Sequence, residues 1–184
     1  MKFKCSDRCA RCCKEFFVIL TANDVKRIIF NHKLNFDDFV VFKDASTIKE
    51  DYRVNKCTIK TVDGDKVMGL KSTDDGCILL KDYLCTIYGS RPMLCRKYPF
   101  DWKYAVYGRT MACYSDDYKC DFKEIVPEKD YGEIFAIISR YEQDLKDYSA
   151  RVREWNESKR KDRTIDNFLD YIGIKPYIKK RDEN

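Results

Sequence analysis

Apolar and polar positions alternate at different periods along the chain. Near the start, Thr21-Ala22-Asn23-Asp24 supplies an N-cap residue with an acid three positions on, the opening of a helix. Val25, Ile28 and Ile29 then recur at helical spacing and form its apolar face. A second short helix is expected over Asn35–Phe42, with Phe36, Phe39 and Val40 inward. From Tyr52 to Tyr88 the texture changes to short β-like runs broken by turns: Cys57–Val62, an Asp63-Gly64 turn, Val67–Leu70, then Cys77–Leu80 after Asp75-Gly76, and Leu84–Tyr88. In the tail, Ile134, Ile138, Tyr141, Leu145, Tyr148, Val152 and Trp155 fall four and three apart, one continuous stripe on a long helix. A last helix is expected over Asp166–Ile172, closed by Gly173 with Pro176 beyond. The fold class read from this pattern is α+β: a small cysteine-rich, metal-centred domain of short helices and β-hairpins, followed by a long C-terminal helix.

Composition sharpens that picture. Of 184 residues, 44% are apolar and 36% charged, so the chain should fold rather than stay disordered. No apolar run approaches the roughly 18 residues of a membrane span, and the first residues offer no signal-peptide core, so a cytoplasmic protein without a membrane partner is expected. The chain has ten cysteines, all between Cys5 and Cys120. In a reducing compartment such clusters read as metal-binding or catalytic before they read as disulfides. Abundant Lys, Ile and Glu with one glutamine, Gln143, point to a thermophile, where an intracellular disulfide framework is the alternative. The composition shift near Glu128 divides a metal domain, 1–127, from a helical segment, 128–184, packed on it.

Net charge is +5, but the signs interleave, so nucleic acid is not the expected partner. The densest basic run, Lys159-Arg160-Lys161-Asp162-Arg163, reads as an interhelical loop. The tail stripe either packs on its own domain, the preferred reading, or mediates dimerisation.

The chemistry lies in the cysteine spacing. Cys5-x3-Cys9-x2-Cys12-Cys13 is a metal-site signature, because short gaps let thiolates turn back towards one centre. Cys77, Cys85, Cys95 and Cys113 bring the candidate ligands to eight, arithmetically two sets of four. Neighbouring side chains point in different directions, so Cys12 and Cys13 are expected to serve different centres or different ends of one large centre. The single histidine, His32, falls on the polar side of its helix and reads as a surface residue; Cys57 reads as a small buried packing residue, and Cys120 as an alternative to Cys113. All-cysteine ligation suits zinc or a cubane iron–sulfur cluster equally on spacing alone. The Cys5-x3-Cys9-x2-Cys12 spacing is also that of radical S-adenosylmethionine enzymes, but no strand is read before it and no repeating βα units follow.

A second motif identifies a family. Gly76-Cys77-Ile78-Leu79-Leu80 followed by Cys85-Thr86-Ile87-Tyr88-Gly89-Ser90-Arg91-Pro92-Met93-Leu94-Cys95-Arg96-Lys97-Tyr98-Pro99-Phe100, with Cys9-x2-Cys12-Cys13, resembles the YkgJ-like or CxxCxxCC family of zinc- or iron-chelating proteins. The resemblance covers about residues 1–115. It departs from the family at Cys5 and Cys9, which have three residues between them rather than two. It implies a metal, iron–sulfur, most plausibly [4Fe–4S], ahead of zinc. Its distant similarity to flagellin lysine N-methylases implies cluster-dependent chemistry without carrying that activity to a chain this short.

Around the ligands, Pro92 fixes its own φ and stiffens the approach to Cys95. Arg91 and Arg96 are the candidate cofactor-binding residues, placed to offset a thiolate-rich centre or grip an anionic substrate. Tyr88, Tyr98, Phe100 and Trp102 are expected to shield the site. Three functions fit: a redox or cluster-dependent iron–sulfur component of an enzyme system with a protein partner, a structural zinc interaction module, or a metal carrier or maturation factor.

Overall fold

The register of one central strand places the site. In the computed structural model, which describes residues 10–49, 51–104, 110–114 and 131–179, a three-stranded antiparallel sheet has the order β1-β3-β2. Its strands are β1 (Val40–Asp44), β2 (Ile59–Thr61) and β3 (Gly64–Leu70). Val67, Met68 and Leu70 are buried, and Gly64 at φ +100 makes the turn that the Asp63-Gly64 pair foretold. β1 pairs along its whole length with β3, from Val40 opposite Leu70 to Asp44 opposite Lys66. Val40 and Val41 therefore extend as β-branched residues do against a partner strand, and the helix expected over Asn35–Phe42 is cut to α3 (Phe36–Phe39).

The far end of β3 takes another partner. Ile19 bridges Gly69, Leu20 donates to the Met68 carbonyl at 3.0 Å, and Leu70 donates to Val18 at 2.9 Å. Gly69 is required here, because a Cβ would lie 2.8 Å from the Val18 carbonyl and closer still to the Phe17 ring.

Upstream lies α1 (Arg11–Glu15) and downstream of the bridge α2 (Ala22–His32). Thr21 and Asp24 close the expected capping box at the start of α2. Asp24, 1% exposed, does more than cap. Its carboxylate accepts from the Thr21 N–H and hydroxyl, from Arg27 Nη2, and from the Met93 N–H at 2.9 Å, 69 residues away. Arg27 also donates to the Arg91 carbonyl at 3.0 Å, and Asn31 to Ser90 Oγ at 3.1 Å. One face of α2 thus grips the turn that leads into α5 (Met93–Lys97).

Between the sheet and that turn run α4 (Tyr52–Cys57) and two small hairpins, β4 (Ser72–Thr73) with β5 (Gly76–Cys77) and β6 (Leu80–Lys81) with β7 (Leu84–Cys85). The expected strand from Cys57 begins two residues late, since Cys57 ends α4. After α5 come β8 (Phe100–Tyr104) and β9 (Thr110–Tyr114), paired antiparallel.

The long helix α6 (Tyr131–Glu157) buries all seven stripe residues. Trp155 and Phe168 meet edge to face, with ring centroids 5.4 Å apart. Trp155 Nε1 donates to the Lys60 carbonyl at 3.0 Å, and Asn156 bonds both the Lys60 N–H and the Thr58 carbonyl, so α6 covers the free edge of β2. α7 (Ile165–Tyr171) ends at Gly173, φ +70, and Pro176 falls inside a further short helix, α8 (Lys175–Lys179), rather than beyond the last one. One hydrophobic cluster runs from Val18 to Ile174 and joins the three-stranded sheet, α2, α4, α5, α6 and α7. The stripe is therefore committed to its own chain's core. The boundary expected near Glu128 lies outside the described residues. The architecture is α+β with a long C-terminal helix.

Removing the Asp24 carboxylate strands Arg27 and the Met93 N–H in a buried setting. Asp24→Ala should cost roughly 2–4 kcal/mol in urea unfolding at unchanged slope, whereas exposed Glu142→Ala should stay within about 0.5 kcal/mol. A loss at Asp24 no larger than at Glu142 would remove it from this role.

Candidate metal centre

Three segments bring thiols to one place. α1 carries Cys12 and Cys13, the twin hairpins carry Cys77 and Cys85, and α5 carries Cys95. All five are half-buried and reduced. Each lies within electrostatic reach of the others' segments: Cys13 feels Cys12, Cys95 and Cys77, while Cys95 feels Cys12, Cys77 and Cys85.

Local backbone devices aim them. α1 starts from Ala10 in the left-handed conformation, φ 46, whose carbonyl accepts from the Cys13 N–H at 3.0 Å. Gly76, φ +114, sits hard against α1: a Cβ there would lie 2.8 Å from the Cys13 carbonyl and 3.1 Å from Lys14 Cα. Only glycine allows this approach, which carries Cys77 to the α1 thiols.

The two hairpins are one unit used twice. Ile78 donates to the Lys71 carbonyl at 3.0 Å, and eight residues later Thr86 donates to Leu79 at 2.9 Å. In each, the N–H two residues past the cysteine points back at its sulfur, Leu79 at Cys77 and Ile87 at Cys85. Buried Leu79 and Ile87 anchor the two units in the core. On the third segment, Met93 is tied to Asp24, and Cys95 follows in the first turn of α5.

The electrostatics are those of a site short of positive charge. Burial and neighbouring thiols push the Cys77, Cys85 and Cys95 thiols up, while the N–H donors and Arg91 oppose them in part. Cys12 and Cys13 behave as a pair, their Sγ atoms 3.9 Å apart. The hydrogen bond from Cys13, with help from Arg91, holds Cys12 down, and that shared proton and burial hold Cys13 up. Arg91 stacks on the Tyr88 ring, 3.8 Å from its centroid, and donates from Nε to the Tyr88 carbonyl at 3.1 Å. The Arg96 guanidinium feels Arg27 and Arg91 and makes no hydrogen bond or ion pair among the described residues.

The 3.9 Å separation departs from the divergence expected of adjacent side chains. A zinc tetrahedron with Zn–S near 2.3 Å has S···S edges of about 3.8 Å. The pair can therefore serve one centre. Among the described residues, no three His, Cys, Asp or Glu side chains converge closely enough to hold one ion as they stand.

Cys5, Cys9 and Cys120 fall outside the described residues, and Cys113 is described only as a β9 position opposite Asp101. Cys57 is wholly buried in the hydrophobic cluster with its thiol pushed up to about 12 by burial. His32 is half-buried, with Nε2 buried and unpartnered. Of the aromatics, Tyr98 meets Phe16 edge to face at 5.5 Å, so the residues that cap α5 and α1 touch. Phe100 is buried, Tyr88 is exposed beneath Arg91, and the Trp102 side chain is not described.

A family model for the CxxCxxCC "putative zinc- or iron-chelating domain" matches residues 4–121, well over half the chain. The chain belongs to the CxxCxxCC family. The matched stretch contains all ten cysteines and ends before α6. Membership in the CxxCxxCC family makes this a metal-binding chain of the zinc or iron class. No curated protein and no solved structure matches it. No helix among the described residues is long and apolar enough to cross a membrane.

Two residues that govern this site are not ligands. Asp24 was legible only as a cap, because its bond to Met93 spans a distance no local pattern records. Gly76 stood within the quoted motif, and the approach of α1 that demands it comes from more than sixty residues away. Gly76→Ala should cut bound metal at least severalfold, because the added methyl must push Cys77 away from α1; full metal content in that variant would disprove the close approach. Cys57→Ser should retain its metal, and Cys57 should resist iodoacetamide at pH 8 until the chain unfolds, as read by mass spectrometry.

Proposed function

We propose that the chain binds an iron–sulfur cluster through its clustered cysteines and acts as a redox or cluster-dependent component of an enzyme system. The observation that supports this reading is that Cys12, Cys13, Cys77, Cys85 and Cys95, from three segments, lie within electrostatic reach of one another, with Arg91 beside Cys12, Cys85 and Cys95. Five thiols already exceed the four that one zinc requires, and Cys5, Cys9 and Cys113 would complete two sets of four. As thiolates these groups repel one another, so only a strong local cation can hold them deprotonated together. The N–H groups of Leu79 and Ile87 and the Arg91 guanidinium are the kinds of donor that tune the potential of a thiolate-bound cluster. Such a cluster, when bound, supplies one-electron transfer or an open iron for a substrate. Arg96, uncommitted among the described residues, would then hold an anionic group beside it.

A second reading is a structural zinc module, favoured by the 3.9 Å Cys12–Cys13 separation. The two are separated by analysis of anaerobically purified protein. A brown protein containing iron and acid-labile sulfide is expected, with Cys95→Ala losing metal and thermal stability together. A colourless protein with stoichiometric zinc would decide for the zinc module, and unchanged metal and melting in Cys95→Ala would remove that cysteine from the site.

A further inference from the structure

The two arginines that flank Cys95 face different charges. Arg91 favours the thiolates of Cys12, Cys85 and Cys95. Arg96, although next to Cys95 in sequence, is not among the main charges acting on any of the five thiols. It is half-buried, and burial followed by the Arg27 and Arg91 guanidiniums pulls its pKa down. A guanidinium partly withdrawn from water beside two others is unfavourable until an anion joins it.

The acids of these elements are already committed. α2 has one carboxylate, Asp24, 1% exposed and bonded to Thr21, Arg27 and the Met93 N–H. The turn from Ile87 to Pro92 has no acid and neither does α5; Asp101, just beyond it, pairs with Lys97 at 2.6 Å. Asp24 thus answers Arg27, and Asp101 answers Lys97. Arg91 and Arg96 remain as two positive charges without an ion pair among the described residues. Arg91 is also held in place. Its guanidinium stacks 3.8 Å from the Tyr88 centroid with Nε bonded to the Tyr88 carbonyl, and neither Nη has an acceptor among the described residues. Arg27 Nη2, on the Arg91 carbonyl at 3.0 Å, ties the same turn to α2.

We propose that Arg91 and Arg96 together bind a phosphate group, as the free ion or as a monoester, with Arg27 of α2 at the edge of the site. Two unanswered guanidiniums match a dianion. Two donor forks carried at different points of the chain suit a tetrahedral group with oxygens facing both, whereas a carboxylate offers one charge in one plane. Arg91 would then stand between the anion and the thiols, so a bound phosphate offsets the cation that Cys12, Cys85 and Cys95 share. The phosphate is the anionic group proposed for Arg96 beside the centre. Its coupling to a cluster rests on the iron–sulfur reading, while the anion site itself holds equally beside zinc.

The test uses the full chain with its metal bound, titrated by calorimetry with inorganic phosphate, methyl phosphate, acetate and chloride at constant ionic strength. At least one phosphate is expected to bind saturably, at least tenfold more tightly than acetate or chloride, and the tighter of the two distinguishes the free ion from an ester. Arg96→Gln should weaken that binding at least tenfold, and Arg96→Lys severalfold, since lysine keeps the charge and loses the fork. Lys159→Gln, exposed in the loop between α6 and α7, should leave it unchanged. Metal content should be the same in all of these variants. No saturable phosphate binding, equal binding of acetate, unchanged affinity in both Arg96 variants, or an equal loss in Lys159→Gln would overturn the proposal. Metal loss in Arg96→Gln would place that arginine with the thiols and overturn it as well. Zinc in place of iron and sulfide would remove the cluster reading, and phosphate binding with the Arg96 losses would still stand.

Discussion

Everything at the thiol site depends on one buried carboxylate and the strand register beside it. Asp24 accepts four hydrogen bonds, three from its own helix start and one from Met93. Because the group is almost wholly excluded from water, each donor must be present for the charge to be tolerated. That requirement fixes where α5 begins relative to α2. On the other side, the pairing of Val18, Ile19 and Leu20 with β3 fixes where α1 lies relative to β5. Two independent constraints, one polar and one of backbone register, therefore meet at the same group of sulfurs. Neither needs a metal to be drawn, so the scaffold is set by ordinary folding forces and the thiols are left to face one another.

Facing one another is the unfavourable part. Buried thiols that raise each other's pKa hold their protons, and that state gives little cohesion to a region whose hairpins are only two residues deep. Two-stranded hairpins of this size are marginal in water. Here Leu79 and Ile87 supply their apolar anchor, Lys14 lies over the Tyr83 ring and Arg91 over Tyr88. The rest of the chain contributes through α6, whose buried stripe ties the sheet, α5 and α7 into one core. The helical tail is thus part of the site's support although it carries no cysteine.

What could be read from the sequence followed the range of the interactions. The Thr21–Asp24 cap and the seven-residue stripe of α6 depend on spacing alone, and both stand as the pattern predicts. The segment Asn35–Phe42 misled, because Phe36, Phe39 and Val40 fit a helix while the strand that claims Val40 lies thirty residues on. The alternation around Cys57 signalled burial and concealed that the residue closes a helix. Adjacent cysteines were expected to diverge, a rule about Cβ directions that one further rotatable bond undoes. The cysteine motif announced metal chemistry and a family, and the bond that steers Cys95 left no trace near it.

The repeated hairpin has a consequence for what this region can absorb. The frame of each unit is closed by the carbonyls of Lys71 and Leu79 and by the N–H two residues past the cysteine. The tips, Asp74-Asp75 and Asp82-Tyr83, lie outside that frame, and the second uses two left-handed residues, φ 49 and 63, to turn. Length and decoration can change at the first tip without altering where a sulfur sits, whereas the second holds Tyr83 under Lys14 of α1. The first tip is therefore the natural point for attaching a spectroscopic label or grafting a recognition loop within a few residues of the thiols.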